Sequence, residues 1–214
     1  MKTRWFVTYT VLALLFGGCQ TTYYATMAKF GYEKRDLLKK AVLAARDEQK
    51  DAAKEFKDAL TRIKELYAFE GGDLERNYTK LKSQADDCES QAAIVRKRIR
   101  DMDQIATDLF TEWEKEIGQF SNPTYASNSR RQLAETRGKY AQLAGSLRSA
   151  EATMEPVLKQ LKEQVLYLKH NLNAAAIGSL RGEATSIQND IGRLLGQMNT
   201  AIAQADEFIK ALPR

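Results

Sequence analysis

From Leu74 to Phe120 the chain reads LERNYTKLKSQADDCESQAAIVRKRIRDMDQIATDLFTEWEKEIGQF. Apolar residues recur in it at Leu74, Tyr78, Leu81, Ala85, Cys88, Ala92, Val95, Ile99, Met102, Ala106, Leu109, Trp113, Ile117 and Phe120. The intervals alternate between four and three residues, almost without exception, so these positions share one side of an α-helix. A period near 3.5 sustained this long is the mark of helices that wind around one another with left-handed supercoil and shallow crossing angles. Because an isolated helix with a single apolar stripe is marginal in water, the stretch demands partner helices.

Three further segments supply them. The first runs through Leu37, Ala41, Ala45, Ala52, Phe56, Ala59, Ile63 and Leu66, with Glu48 at one seam position. The third uses Tyr140, Leu143, Leu147, Ala150, Met154, Val157, Leu161, Val165, Leu168 and Leu172, and the fourth Ile177, Leu180, Ala184, Ile187, Ile191, Leu194, Met198, Ala201, Ala205, Phe208 and Leu212. Gly71-Gly72-Asp73 and Ser121-Asn122-Pro123 punctuate the first two boundaries, with Ser127-Asn128-Ser129 offering N-caps for the third helix. Asn171-Leu172-Asn173 and Gly178 are the breakers at the last boundary. Pro156 lies inside the third segment, where it removes a backbone hydrogen bond and is expected to kink or locally break the helix. The expectation is an all-α fold, an elongated antiparallel four-helix bundle or coiled coil, with helices at about 30–70, 73–120, 128–173 and 177–212. Helices of about 45 residues would be roughly 65 to 70 Å long, so the shape is a rod. No period-two run bounded by turns suggests β structure.

The composition agrees with one such domain over residues 30–214. A 43% hydrophobic and 29% charged chain with three prolines suits helices that each bury one stripe and solvate the rest. The N-terminus has a different layout. Lys2 and Arg4 precede an uncharged, mostly apolar run from Trp5 to Gly18, and two glycines stand before Cys19. This is the pattern of a secretory signal peptide, and fourteen residues at about 1.5 Å each fall short of a ~30 Å hydrocarbon core. Leu14-Leu15-Phe16-Gly17-Gly18-Cys19 resembles the lipobox of bacterial lipoproteins, with Phe16 where the motif usually has Leu. The resemblance implies a signal peptide over 1–18, cleavage before Cys19, and acylation of that cysteine. Residues 19–29 would then be lipid anchor and linker, and Gln20 would imply sorting to the outer membrane, facing the periplasm. Several acyl chains on one residue would hold the protein on its membrane essentially permanently.

With Cys19 acylated, Cys88 has no disulfide partner, and its place on the apolar seam makes it a small buried hydrophobe. The formal charge of +5 falls to +3 without residues 1–18 (33 − 2 = 31 basic against 28 acidic), too small an excess to indicate a nucleic-acid partner. Arg96-Lys97-Arg98 with Arg100 is spread around a helix without interleaved aromatics, and with Arg130-Arg131 is expected to serve solubility and interhelical ion pairs.

The chain has no GxxxxGK[ST] phosphate loop, no GxSxG elbow and no HExxH, and His170 is its single histidine. No catalytic residue, metal ligand or cofactor is therefore expected. Gly71-Gly72-Asp73-Leu74-Glu75 looks superficially like a diguanylate cyclase signature but joins two helices, where that motif sits on a β-hairpin.

The runs Tyr32 to Val42, Ala45 to Leu60, Phe69 to Leu81, Leu109 to Ile117 and, above all, Met154 to Leu180 (MEPVLKQLKEQVLYLKHNLNAAAIGSL) resemble an uncharacterised family of Gram-negative helical proteins, the domain of unknown function two-nine-five-nine. The resemblance spans nearly the whole mature chain and implies no substrate, cofactor or partner. The functional expectation is a non-catalytic envelope lipoprotein, a helical scaffold, spacer or adaptor. It would be held to the membrane through lipid on Cys19 and have an unknown envelope protein as partner, with self-association left open. A membrane-active or pore-forming bundle is the alternative, and an envelope hydrolase a more distant one. Antiparallel topology would gather Gly71, Gly72, His170, Asn171 and Asn173 at the free tip, off the regular heptads, where binding residues commonly sit.

Overall fold

A computed structural model describes residues 34–68 and 73–212. Four helices follow in order: α1 (Lys34–Tyr67), α2 (Leu74–Ile117), α3 (Pro123–His170) and α4 (Ala174–Ala211). They run alternately up and down, and each packs on its neighbours in sequence while α4 closes the ring against α1. The longest, α3, has 48 residues, hence a rod of roughly 70 Å. Cys19, with the signal-peptide and linker boundaries at 18 and 29, lies outside the described residues, as do Gly71 and Gly72.

Cross-helix bonds fix the register along the whole length. Lys34 pairs with Glu112, the Arg35 guanidinium lies 4.9 Å from the centre of the Trp113 ring, and the indole Nε1 donates to Ser129 Oγ at 2.8 Å. These contacts put the start of α1, the end of α2 and the start of α3 at one end. Tyr140 stacks edge-on against Phe110 and Phe208 (5.6 and 5.9 Å between ring centres), which adds the end of α4. Arg46 binds Asp206 at 2.7 Å, holding that carboxylate below the ordinary range, and thereby ties α1 to α4. At the opposite end Arg181 Nε donates to the Tyr67 carbonyl at 2.5 Å, so the end of α1 meets the start of α4.

The core follows the heptads, with informative departures. On α1 the buried line is Leu38, Val42, Ala45, Gln49, Ala52, Phe56, Ala59, Ile63 and Leu66, an unbroken alternation of four and three. Gln49, not Glu48, therefore holds the interior position. Glu48 is half-buried at the rim, where its carboxylate takes Gln91 Nε2 at 3.0 Å and Arg98 Nε at 3.2 Å. A carboxylate moves to the rim because burial of an unpaired charge costs several kcal/mol. On α3, by the same count, Gln164 rather than Val165 is buried between Leu161 and Leu168. Phe120 and Leu172, expected to close their seams, are exposed, since both stand in turns beyond the last helical residue.

Helix boundaries also depart from expectation. α3 begins at Pro123, five residues before the expected 128, because Asn122 supplies the cap, accepting from the Thr124 N–H at 2.9 Å, and Pro123 fills the first-turn place where no donor is needed. α4 starts at Ala174, capped by Asn173, which accepts from the Ala176 N–H at 3.0 Å, so Gly178 lies within the helix rather than before it. Asp73 caps α2 as expected, taking the Arg76 N–H at 2.9 Å. Pro156 does not break α3: it lies on the exposed side, as does Ala152 one turn earlier, so the carbonyl it leaves without a donor faces solvent. α4 carries Gly178, Gly182, Gly192 and Gly196 in its interior, each about 1 kcal/mol less favourable in a helix than alanine.

Candidate functional site

The end at which α1 finishes and α4 begins holds every described residue expected at the tip. His170, the last residue of α3, is exposed, as are Asn171 and Asn173. The two asparagines already have structural work. Asn171 Nδ2 donates to the Tyr167 carbonyl at 3.1 Å, its backbone N–H donates to the Tyr167 and Leu168 carbonyls, and Asn173 caps α4. His170 is brought beside them by chain order alone.

What collects around this turn is apolar. Leu166 is 57% exposed, and Tyr167 and Leu172 are exposed with it. Beside them a groove of about 610 Å³ runs between α3 and α4, with Gln160, Glu163, Gln164 and Tyr167 on one wall and Ser179, Gly182, Glu183 and Ser186 on the other. Gln164 is only 5% exposed and its Oε1 has no hydrogen-bond partner. The Tyr67 hydroxyl lies near Gln164; burial, reinforced by the Glu183 charge, pushes the phenol up to about 12 against the opposing pull of Gln164. The groove is rich in acceptors. Sequence reasoning missed Tyr67 and Gln164, because a lone glutamine inside a heptad reads as a surface residue until the 4-3 count is carried through it.

Elsewhere the polar groups are structural. Burial raises the Cys88 thiol to about 12, so at neutral pH it is a buried, protonated hydrophobe. Tyr140 is pushed upward by burial and by its 2.6 Å hydrogen bond to Asp103, which also takes Arg148 at 2.6 Å. Three cations of the basic cluster are held in ion pairs: Arg96 reaches Glu151 at 2.5 Å and Glu155 at 3.0 Å, Lys97 reaches Asp101 at 2.6 Å, and Arg98 reaches Glu48. Among the described residues no group of three or more His, Cys, Asp or Glu side chains is placed to hold a metal, and no helix is long and apolar enough to cross a membrane.

Short turns, heptad cores and ring order define an elongated antiparallel four-helix bundle. The chain belongs to the family described as protein of unknown function (DUF2959), which it matches over residues 23–212. Neither a curated protein nor a solved structure matches it significantly.

Proposed function

We propose that this chain is a non-catalytic envelope lipoprotein, a rigid spacer that presents its distal end to a protein partner. One observation carries the reading: α1 starts at Lys34, fifteen residues after Cys19, at the end of the rod opposite the His170–Asn173 turn. A fully extended tether of that length spans at most about 50 Å, less than the roughly 70 Å rod. Lipid on Cys19 would then keep the Trp113 end near the bilayer and the Tyr67 end away from it. The exposed Leu166, Tyr167 and Leu172 beside His170 give the distal end the apolar anchors that protein interfaces use.

Metabolic labelling with a palmitate analogue tests the anchor. The parent should incorporate label and Cys19→Ala should not; equal labelling of the two refutes the reading. Crosslinking in intact envelopes tests the tip, where Leu166→Ser with Tyr167→Ser should lose an adduct that His170→Gln weakens less.

A further inference from the structure

The outward side of α4 differs in kind from that of its neighbours. Between Ala174 and Ala205 its charged residues are Arg181, Glu183, Asp190 and Arg193, whereas about half of α1 is charged. Along it run Gly178, Gly182, Thr185, Asn189, Gly192 and Gly196, all exposed and spaced four, three, four, three, four. This is a second heptad seam, opposite the buried Ile177, Leu180, Ile187, Ile191, Leu194 and Met198.

The four glycines serve nothing inside the bundle. A Cβ added at any of them meets no atom within 4 Å, and none has a positive φ. Each nevertheless weakens the helix relative to alanine, and what a glycine on a helix surface permits is close approach of another backbone.

We infer that this face binds a second copy of the chain, α4 against α4 and antiparallel, about a two-fold axis level with Ile187. The seam reads Gly-Gly-Thr-Asn-Gly-Gly, nearly the same in both directions, as a two-fold interface between identical surfaces requires. The axis sets Gly178 against Gly196, Gly182 against Gly192 and Thr185 against Asn189.

Charge and polarity on the flank agree. On the side where α3 lies, the same axis brings Arg193 of one copy within about 3 Å, measured along the helix, of the level of Glu183 of the other. There the groove between α3 and α4 opens, with Glu163 and Glu183 on its walls and the unpartnered Oε1 of Gln164, 95% of whose surface is buried, within it. An acceptor-rich recess receives a guanidinium, and among the described residues Arg193 makes an exposed 2.6 Å pair with Asp190. The seam from Gly178 to Gly196 is about 27 Å long and, at about 15 Å wide, gives roughly 400 Å² per copy, so about 800 Å² in all, in the range of small, transient interfaces. The dimer is accordingly weak, with a Kd of roughly 1 to 100 µM.

Sedimentation velocity of the full chain in a mild non-ionic detergent, over a concentration series, tests this. The parent should shift from monomer to dimer through that range. Gly182→Gln with Gly192→Gln should weaken the dimer at least tenfold while the thermal midpoint holds or rises, because glutamine is the better helix former. Arg193→Glu should weaken it, and adding Glu183→Arg should restore much of the loss. In a background with Cys19 and Cys88 both replaced by alanine, Gly178→Cys with Gly196→Cys should give an oxidised dimer that neither single substitution gives. A parent that stays monomeric at several hundred µM, a dimer indifferent to the glutamines, or Gly178→Cys linking to itself overturns the inference. None of these readouts depends on Cys19.

Discussion

Gln49 is fully buried on the α1 seam, and neither its Nε2 nor its Oε1 finds a hydrogen-bond partner. Its seam neighbours on α1, Ala45 and Ala52, offer no donor or acceptor side chain, and Ala92 is at the same level on α2, as the Gln91–Glu48 bond shows. Leaving a buried polar group unpaired costs about 1–3 kcal/mol. Gln49→Met keeps the shape and removes both unmet groups, so it should stabilise the bundle by about 1–3 kcal/mol. For a chain of this size each kcal/mol corresponds to roughly 2–4 °C, and the midpoint should rise by about 2–12 °C. Thermal melts followed by far-UV circular dichroism, with urea titrations for the free energy, measure it. Glu48→Gln is the control: its partners are at the rim, where such pairs contribute about 0–1 kcal/mol, so the midpoint should scarcely move. A fall in stability for Gln49→Met would refute the reasoning, because it would mean that the amide is satisfied in the native interior.

Ile99→Asp should destabilise by several kcal/mol or unfold the chain, whereas Lys97→Ala, which breaks only an exposed pair with Asp101, should stay within about 0.5 kcal/mol in the same melts. Asn173→Ala should lose about 1 kcal/mol by removing the α4 cap, read by urea denaturation. The Cys88 thiol, raised from 9.0 to about 12, favours the folded state while protonated; that contribution is complete below pH 9 and is lost as pH climbs towards 12. Cys88→Ala should therefore narrow its stability deficit relative to the parent over this window, as measured by urea midpoints. Iodoacetamide at pH 8 should label Cys88 of the native protein only as fast as the chain unfolds.

Most of the architecture was legible because the heptads are long. Eleven or so turns of one repeat cannot be satisfied by a strand or a loop, and the breaks at Asp73, Asn122 and Asn171–Asn173 are short enough to force antiparallel neighbours. What failed was local. Spacing from Ala45 and Ala52 puts Glu48 on the seam and apolar character puts Val165 there, whereas one-residue shifts bring Gln49 and Gln164 inside; a count of three from Ala45 and a count of four are equally regular until the neighbouring helix fixes the phase. Asn122 and Ser127-Asn128-Ser129 both make good caps, and Pro123 decides for the first by fixing φ at the start of the helix. The approach of Tyr67 to Gln164 beside the groove was out of reach, since the two are far apart in sequence and meet only once α1 and α3 share a core. The second seam of α4 is visible in the sequence only after the first has been assigned.

Three of the four helix contacts join consecutive helices through short turns, but the fourth joins α1 to α4, with Arg46 and Asp206 separated by 160 residues. Local hairpins form readily, and the long-range closure carries the largest loop entropy. The ring should therefore close last, after the α2–α3 and α3–α4 hairpins exist. Until α4 arrives, the side of α1 that it covers is open, and a nascent or partly unfolded chain is most prone to aggregate through that seam. Substitutions at Arg46 or Asp206 should then speed unfolding with little effect on the refolding rate.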